Sequence, residues 1–106
     1  MTPQARYEGL VAAMLKGDAV EAGQMFGKPC LKVGGKAFAA FHAEQLVFKL
    51  TGRSRDAALE EKGAALWDPS GKGRPMKEWI AISGKTKFGE LAYAKAAYEY
   101  VSNQTA

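Results

Sequence analysis

The sequence predicts an α+β domain with a mainly antiparallel sheet and its helices packed on one face, in the order α-β-β-β-α-β-β-α, and three features carry that expectation. Short apolar runs with period-two alternation are separated by tight-turn signals, the pattern of hairpin-connected strands. Segments with helical spacing and capping residues open, interrupt and close the chain. The length is 106 residues, with 47% hydrophobic and 25% charged, which suits one soluble domain, residues 1–106, and leaves no room for a second.

The first helix is marked by Thr2 as N-cap and Pro3 at the first helical position, and Gly17 is placed to stop it. Between them Tyr7, Leu10, Val11, Met14 and Leu15 fall on one apolar stripe that should lie across the sheet. Residues Asp18 to Gly23 read as a polar link. Gln24 to Gly27 reads as a short extra strand, confined by Gly27 and Pro29 to an edge or a bulge.

Met25 to Leu50 is the densest strand-forming stretch. Pro29 to Val33 and Lys36 to Phe41 flank Gly34-Gly35, the two-residue spacing of a hairpin turn that needs positive φ. After His42 to Gln45 turns the chain, Leu46, Phe48 and Leu50 alternate with Val47 and Lys49, so a third strand should send those three residues to the core. A short helix is expected from Ser54 to Lys62, capped by Ser54 and stopped by Gly63.

Ala64 to Trp67 reads as a strand running into a type I turn at Asp68-Pro69-Ser70-Gly71, followed by the loop Gly71-Lys72-Gly73-Arg74-Pro75. Met76 to Ile82 reads as the last strand. The closing helix is expected from Thr86 to Ser102, with Phe88, Leu91, Ala94, Tyr98 and Val101 on one stripe. Tyr93, Ala97 and Tyr100 gather on another side, either a partly covered face in a monomer or a contact for a symmetric homodimer.

Against this order, the run from Met25 through Phe26-Gly27-Lys28-Pro29 and Val33-Gly34-Gly35-Lys36 to Phe38-Ala39 resembles the signature of the TfoX/Sxy N-terminal domain family and of YjbR-like proteins. Asp68 to Gly71 with Gly73 to Trp79 is similar to the second shared block of stand-alone members, and the two blocks span about Ala22 to Val101. The resemblance implies a TfoX N-terminal-like fold in the order already read. It also implies a regulatory context, since full-length members regulate natural competence, and YjbR-like proteins are described as DNA-binding by structural analogy. It supplies no catalytic residue. Full-length members carry a C-terminal domain beyond the last helix, which is absent from these 106 residues, so the resemblance by itself does not carry over a competence role.

Charge adds an independent clue. The formal net charge of +4 is concentrated: residues 22 to 49 carry +3 (Lys28, Lys32, Lys36 and Lys49 against Glu44), and residues 71 to 87 carry +4 (Lys72, Arg74, Lys77, Lys85 and Lys87 against Glu78). On one reading Lys32, Lys36, Lys72, Arg74 and Lys77 form a basic sheet face and loop suited to nucleic-acid phosphates. On the other they keep a half-buried sheet soluble and its edges protected. No helix-turn-helix, zinc-finger or aromatic RNA-stacking motif accompanies them.

Catalytic and cofactor readings find less support, and no enzyme, cofactor or metal is expected. Gly84-Lys85-Thr86 looks like the end of a P-loop, but Trp79 stands where its first glycine belongs. His42 is the sole histidine and Cys30 the sole cysteine, with no ligand at metal spacing, and a Cys30/His42 pair lacks a third group to orient it. Trp67 and Trp79 flank the Gly-rich loop, either as a cross-strand anchor or as a stacking platform beside its cations. No membrane-length apolar run or signal-peptide core is present, so the cytoplasm is the expected compartment. The function expected is that of a regulatory or adaptor domain acting through a protein partner, by the sheet edge or the last helix, with nucleic-acid binding as the alternative.

Overall fold

Three tight hairpins in succession build most of the sheet. The computed structural model describes residues 2–17, 19–69, 73 and 76–105. Strands β1 (Val20–Met25), β2 (Lys28–Val33), β3 (Lys36–His42) and β4 (Gln45–Lys49) are joined by two-residue turns at Phe26-Gly27, Gly34-Gly35 and Ala43-Glu44, with positive φ at all six positions. Such turns match the right-handed twist of the strands they join. Helix α1 (Pro3–Met14) precedes them; α2 (Gly52–Glu60), β5 (Ala64–Trp67), β6 (Met76–Ser83) and α3 (Glu90–Thr105) follow. The sheet is antiparallel throughout, in the order β1-β2-β3-β4-β6-β5.

The α+β class and the helices on one face are as expected, but the order contains one more strand, α-β-β-β-β-α-β-β-α. Most of the expected link at 18–23 belongs to β1, an edge strand that takes in Gln24 and Met25 of the short strand expected at 24–27 while Phe26-Gly27 form the turn. Its stability comes from pairing with β2 along its whole length rather than from propensity.

Thr2 caps α1 as predicted, its hydroxyl accepting from the Ala5 N–H at 3.1 Å. Tyr7, Leu10 and Met14 are buried, while Leu15 falls beyond the helix and is exposed. Helix α2 starts two residues before Ser54. Helix α3 starts four residues after Thr86, whose hydroxyl donates to the Ser83 carbonyl instead of capping it. The segment before α3 is held by Arg6 of α1. Its guanidinium donates to the carbonyls of Gly84, Thr86 and Phe88, contacts Glu90 at 2.5 Å and lies 4.0 Å above the Phe88 ring. Gly84 is buried there and must be glycine, because a side chain would collide with Pro3 and with the Glu44 carbonyl.

The helices cover one face with a core that includes Leu31, Phe38, Leu46, Phe48, Leu50, Ile80, Ile82, Ala94, Ala97 and Val101. Leu46, Phe48 and Leu50 point into it as predicted, and a bulge on β3 adds Phe38. The register steps from Leu31↔Ala39 to Lys32↔Ala37, leaving Phe38 extra, so that both Phe38 and Ala39 are buried in this core.

The opposite face is also buried. Cys30, Ala40, Val47, Trp67, Trp79 and Ala81 form a second cluster without any helix residue. Its cover is the sheet itself. Trp67 on β5 donates its indole N–H to Nδ1 of His42 on β3 at 3.0 Å, although β4 and β6 lie between those strands. Three strand spacings would separate them by about 14 Å in a flat sheet. The Phe26 and Trp67 rings, at the ends of the two edge strands, have centroids 6.5 Å apart. The sheet is therefore strongly coiled about its helix-free face, aided by the β3 bulge and by a second register slip at Leu66/Trp67.

Candidate interaction edge on strand β1

Coiling brings the two edges of the sheet close at one end and leaves β1 paired on a single side. The Phe26-Gly27 turn makes Met25↔Lys28 the hydrogen-bonded closing pair of its hairpin. Alternation then turns the N–H and C=O of Gln24, Ala22 and Val20 outward. Pro29 fits this register, because it stands opposite Gln24 and its missing N–H would have pointed toward β3, where the ladder begins only at Cys30. Among the described residues no backbone bond reaches the outer side of β1. The strand contains no proline or lysine and its pairing with β2 has no bulge, so of the usual edge protections it has only the charge of Glu21.

The helix-free side of this edge is basic. A Cβ on Gly23 would lie 3.3 Å from Lys32 Cε and 3.7 Å from its Nζ, so the end of the Lys32 side chain lies over β1 at the residue that has no side chain. Lys28 stands opposite Met25, with its ammonium 3.3 Å from the Phe26 carbonyl. Among the described residues neither lysine is in an ion pair; Glu21 is the acidic residue of the strand. The edge ends at Phe26, a residue 64% exposed on a backbone with φ of 55°. An aromatic residue in the left-handed region, with its ring mostly in water, is costly on both counts.

Behind this corner sit Cys30 and His42. Cys30 pairs with Ala40, two residues before His42, so the two share a face. The group that orients the imidazole exists after all, contrary to the sequence reading: it is the Trp67 indole. Because Nδ1 accepts from Trp67, the neutral ring carries its proton on Nε2. Burial, then the Lys28 charge, push the His42 pKa below its ordinary value. Burial pushes the Cys30 thiol up, Lys32 offsetting part of this. A thiol held in its protonated form, on the same face as an imidazole occupied by an indole, is not an activated nucleophile. Among the described residues no group of three or more histidine, cysteine or acidic side chains could hold a metal ion, and no helix is long and apolar enough to cross a membrane.

The predicted nucleic-acid residues are only partly brought together. Lys32 lies on the helix-free face near β1; Lys49, opposite Trp79, shares that face. Lys77 is exposed on β6. Lys36 pairs with Val33, a residue of the helix-side core, and so belongs to the other face. Lys72 and Arg74, with the turn expected at Ser70-Gly71, lie outside the described residues. Trp67 and Trp79 are buried with centroids 5.4 Å apart, which makes them the cross-strand anchor and rules out the stacking platform.

The Tyr93, Ala97 and Tyr100 stripe is turned inward. Ala97 is fully buried, the Tyr93 hydroxyl donates to Glu61 at 2.6 Å, and the Tyr100 hydroxyl donates to Glu78. Burial together with the Glu61 hydrogen bond pushes Tyr93 up to about 12. These contacts join α3 to α2 and β6 within one chain, and the contiguous exposed patch imagined for a dimer is not formed. What sequence reasoning missed is Phe26 and Lys28 as parts of an edge. The available signal was a two-residue Phe-Gly turn where asparagine or glycine is the usual first residue. No family model, curated protein or solved structure matches the chain.

Proposed function

We propose that the chain is a non-enzymatic interaction domain of the TfoX N-terminal type, a regulatory or adaptor module that captures an extended segment of a protein partner along β1. The observation that carries this reading is the row of outward backbone groups at Val20, Ala22 and Gln24, unpartnered among the described residues, on an edge with no proline, lysine or bulge. An added strand would satisfy them, the recognition mode in which main-chain bonds supply affinity and alternate side chains supply specificity. The structural roles of Cys30 and His42 favour binding over catalysis.

Ala22→Pro tests it. The Ala22 N–H points away from β2, so proline removes an outward donor while leaving the ladder intact. Random eight-residue segments selected on the wild-type protein by display should lose binding to Ala22→Pro and keep it on Ala22→Thr. Segments that bind both variants equally would place the site elsewhere. A second reading, nucleic-acid binding, is supported by Lys32 and Lys49 on one face with Lys77 exposed nearby, none in an ion pair among the described residues.

A further inference from the structure

We infer that the segment captured by β1 is acidic, with carboxylate side chains two residues apart opposite Gly23 and Met25. This rests on the edge-capture reading above and adds the chemistry of the partner. In a strand paired to β1, residues opposite Gly23 and Met25 project to the helix-free face, and residues two apart share that face. The first position meets the Lys32 ammonium where it lies over Gly23. The second meets the Lys28 ammonium, one strand further in and opposite Met25. Both cations lack an ion-pair partner among the described residues.

Glu21 stands directly opposite Lys32 on the same face, yet the Lys32 side chain leans to Gly23 and forms no ion pair with it among the described residues, so a neutral or basic residue is required opposite Glu21. That fixes the register. Beyond Met25 the exposed Phe26 ring offers an apolar contact to the next outward residue of the segment. Nucleic acid is the weaker occupant of this strip, because the cations flank a row of outward N–H and C=O groups that a peptide backbone complements and a phosphate backbone does not. The buried tryptophans also leave Phe26, among the described residues, as the mostly exposed aromatic at this edge able to stack on a base.

The palindromic peptides Thr-Val-Glu-Val-Glu-Val-Thr and Thr-Val-Gln-Val-Gln-Val-Thr, acetylated and amidated, present the same pattern in either strand direction and serve as probes in an amide-shift titration. The glutamate peptide should bind about tenfold tighter at low salt, with the gap closing at high salt. Lys28→Gln combined with Lys32→Gln should abolish the gap without weakening the glutamine peptide, and Ala22→Pro should lose both peptides. Equal affinity of the two peptides for the wild type would overturn the acidic preference and leave edge capture standing. Failure of both to bind, or binding that survives Ala22→Pro, would overturn both readings. A ten-residue thymidine oligonucleotide that displaces the glutamate peptide and binds Ala22→Pro equally well would reassign the lysines to nucleic acid.

Discussion

On the helix-covered face of the sheet, burial comes from size: Phe38, Leu46, Phe48, Ile80 and Ile82 project into a layer that the three helices complete. On the other face it comes from smallness and curvature. Cys30, Ala40, Val47 and Ala81 leave room for the sheet to coil until Trp67 and Trp79 fill the interior and the Trp67 indole reaches His42 across two strands. The first face needs partners from elsewhere in the chain; the second is closed by the sheet's own bending. The coiled face therefore depends on one polar contact and two large rings, while the helical face spreads its burial over many side chains. Coiling also leaves β1 as an edge beside cations that the interior has no use for.

The largest effect expected is on the helical face. Phe48 is fully buried, with its ring 6.3 Å from Phe88 and 6.0 Å from Tyr93. Phe48→Ala should destabilise by about 3–5 kcal/mol in denaturant unfolding. A loss near 1 kcal/mol would mean that the helices collapse onto the gap and that the face is less rigidly packed than its burial implies.

The coiled face should respond less strongly but with a pH signature of its own. Trp67→Phe removes the indole donor and shrinks the filling of the coil, for an expected loss of about 1–3 kcal/mol. The His42 contact adds a proton linkage. Its pKa is lowered in the fold, so near and below the ordinary value of 6.5 the unfolded chain binds the extra proton more readily. The associated stability is complete above pH 6.5 and is lost as the pH falls below that value toward the lowered one, because His42 cannot both be protonated and accept from Trp67. Between pH 7.5 and 5.5 the wild type should lose more stability than His42→Asn. Identical pH slopes for the two proteins would show that the imidazole does not hold the coil together.

The contrast between the faces also explains what could be read in advance. Period-two alternation in Leu46, Phe48 and Leu50, the Gly34-Gly35 turn and the Thr2-Pro3 cap are local chemistry, and each appeared where it was expected. The first part of strand β1 was obscured because its order is imposed by the β2 ladder, and Glu21 and Gly23 carry little preference of their own. The Phe38 bulge and the Trp67–His42 contact depend on curvature, a property of the whole sheet that no single segment encodes. Among the candidate residues, Lys32 was legible by charge, whereas its position over Gly23 follows from a cross-strand register. The Tyr93 and Tyr100 stripe was recognised as a distinct face of α3, but its inward direction required Glu61 and Glu78 to be placed beside it.

The smallest effect expected concerns Phe26, where the edge meets the coil. Asparagine in its place would complete the preferred first residue of a type I′ turn, relieve the backbone at φ of 55° and remove an exposed ring. If the ring contributes little to the fold, Phe26→Asn should raise stability by about 0.5–1 kcal/mol and weaken capture of an edge segment. If instead the ring's contact with Trp67 seals the coil, the same change should destabilise. Chemical denaturation decides by sign alone. A gain in stability together with lost peptide binding is the expected result, because it identifies a side chain kept in a strained position for what it touches outside the domain.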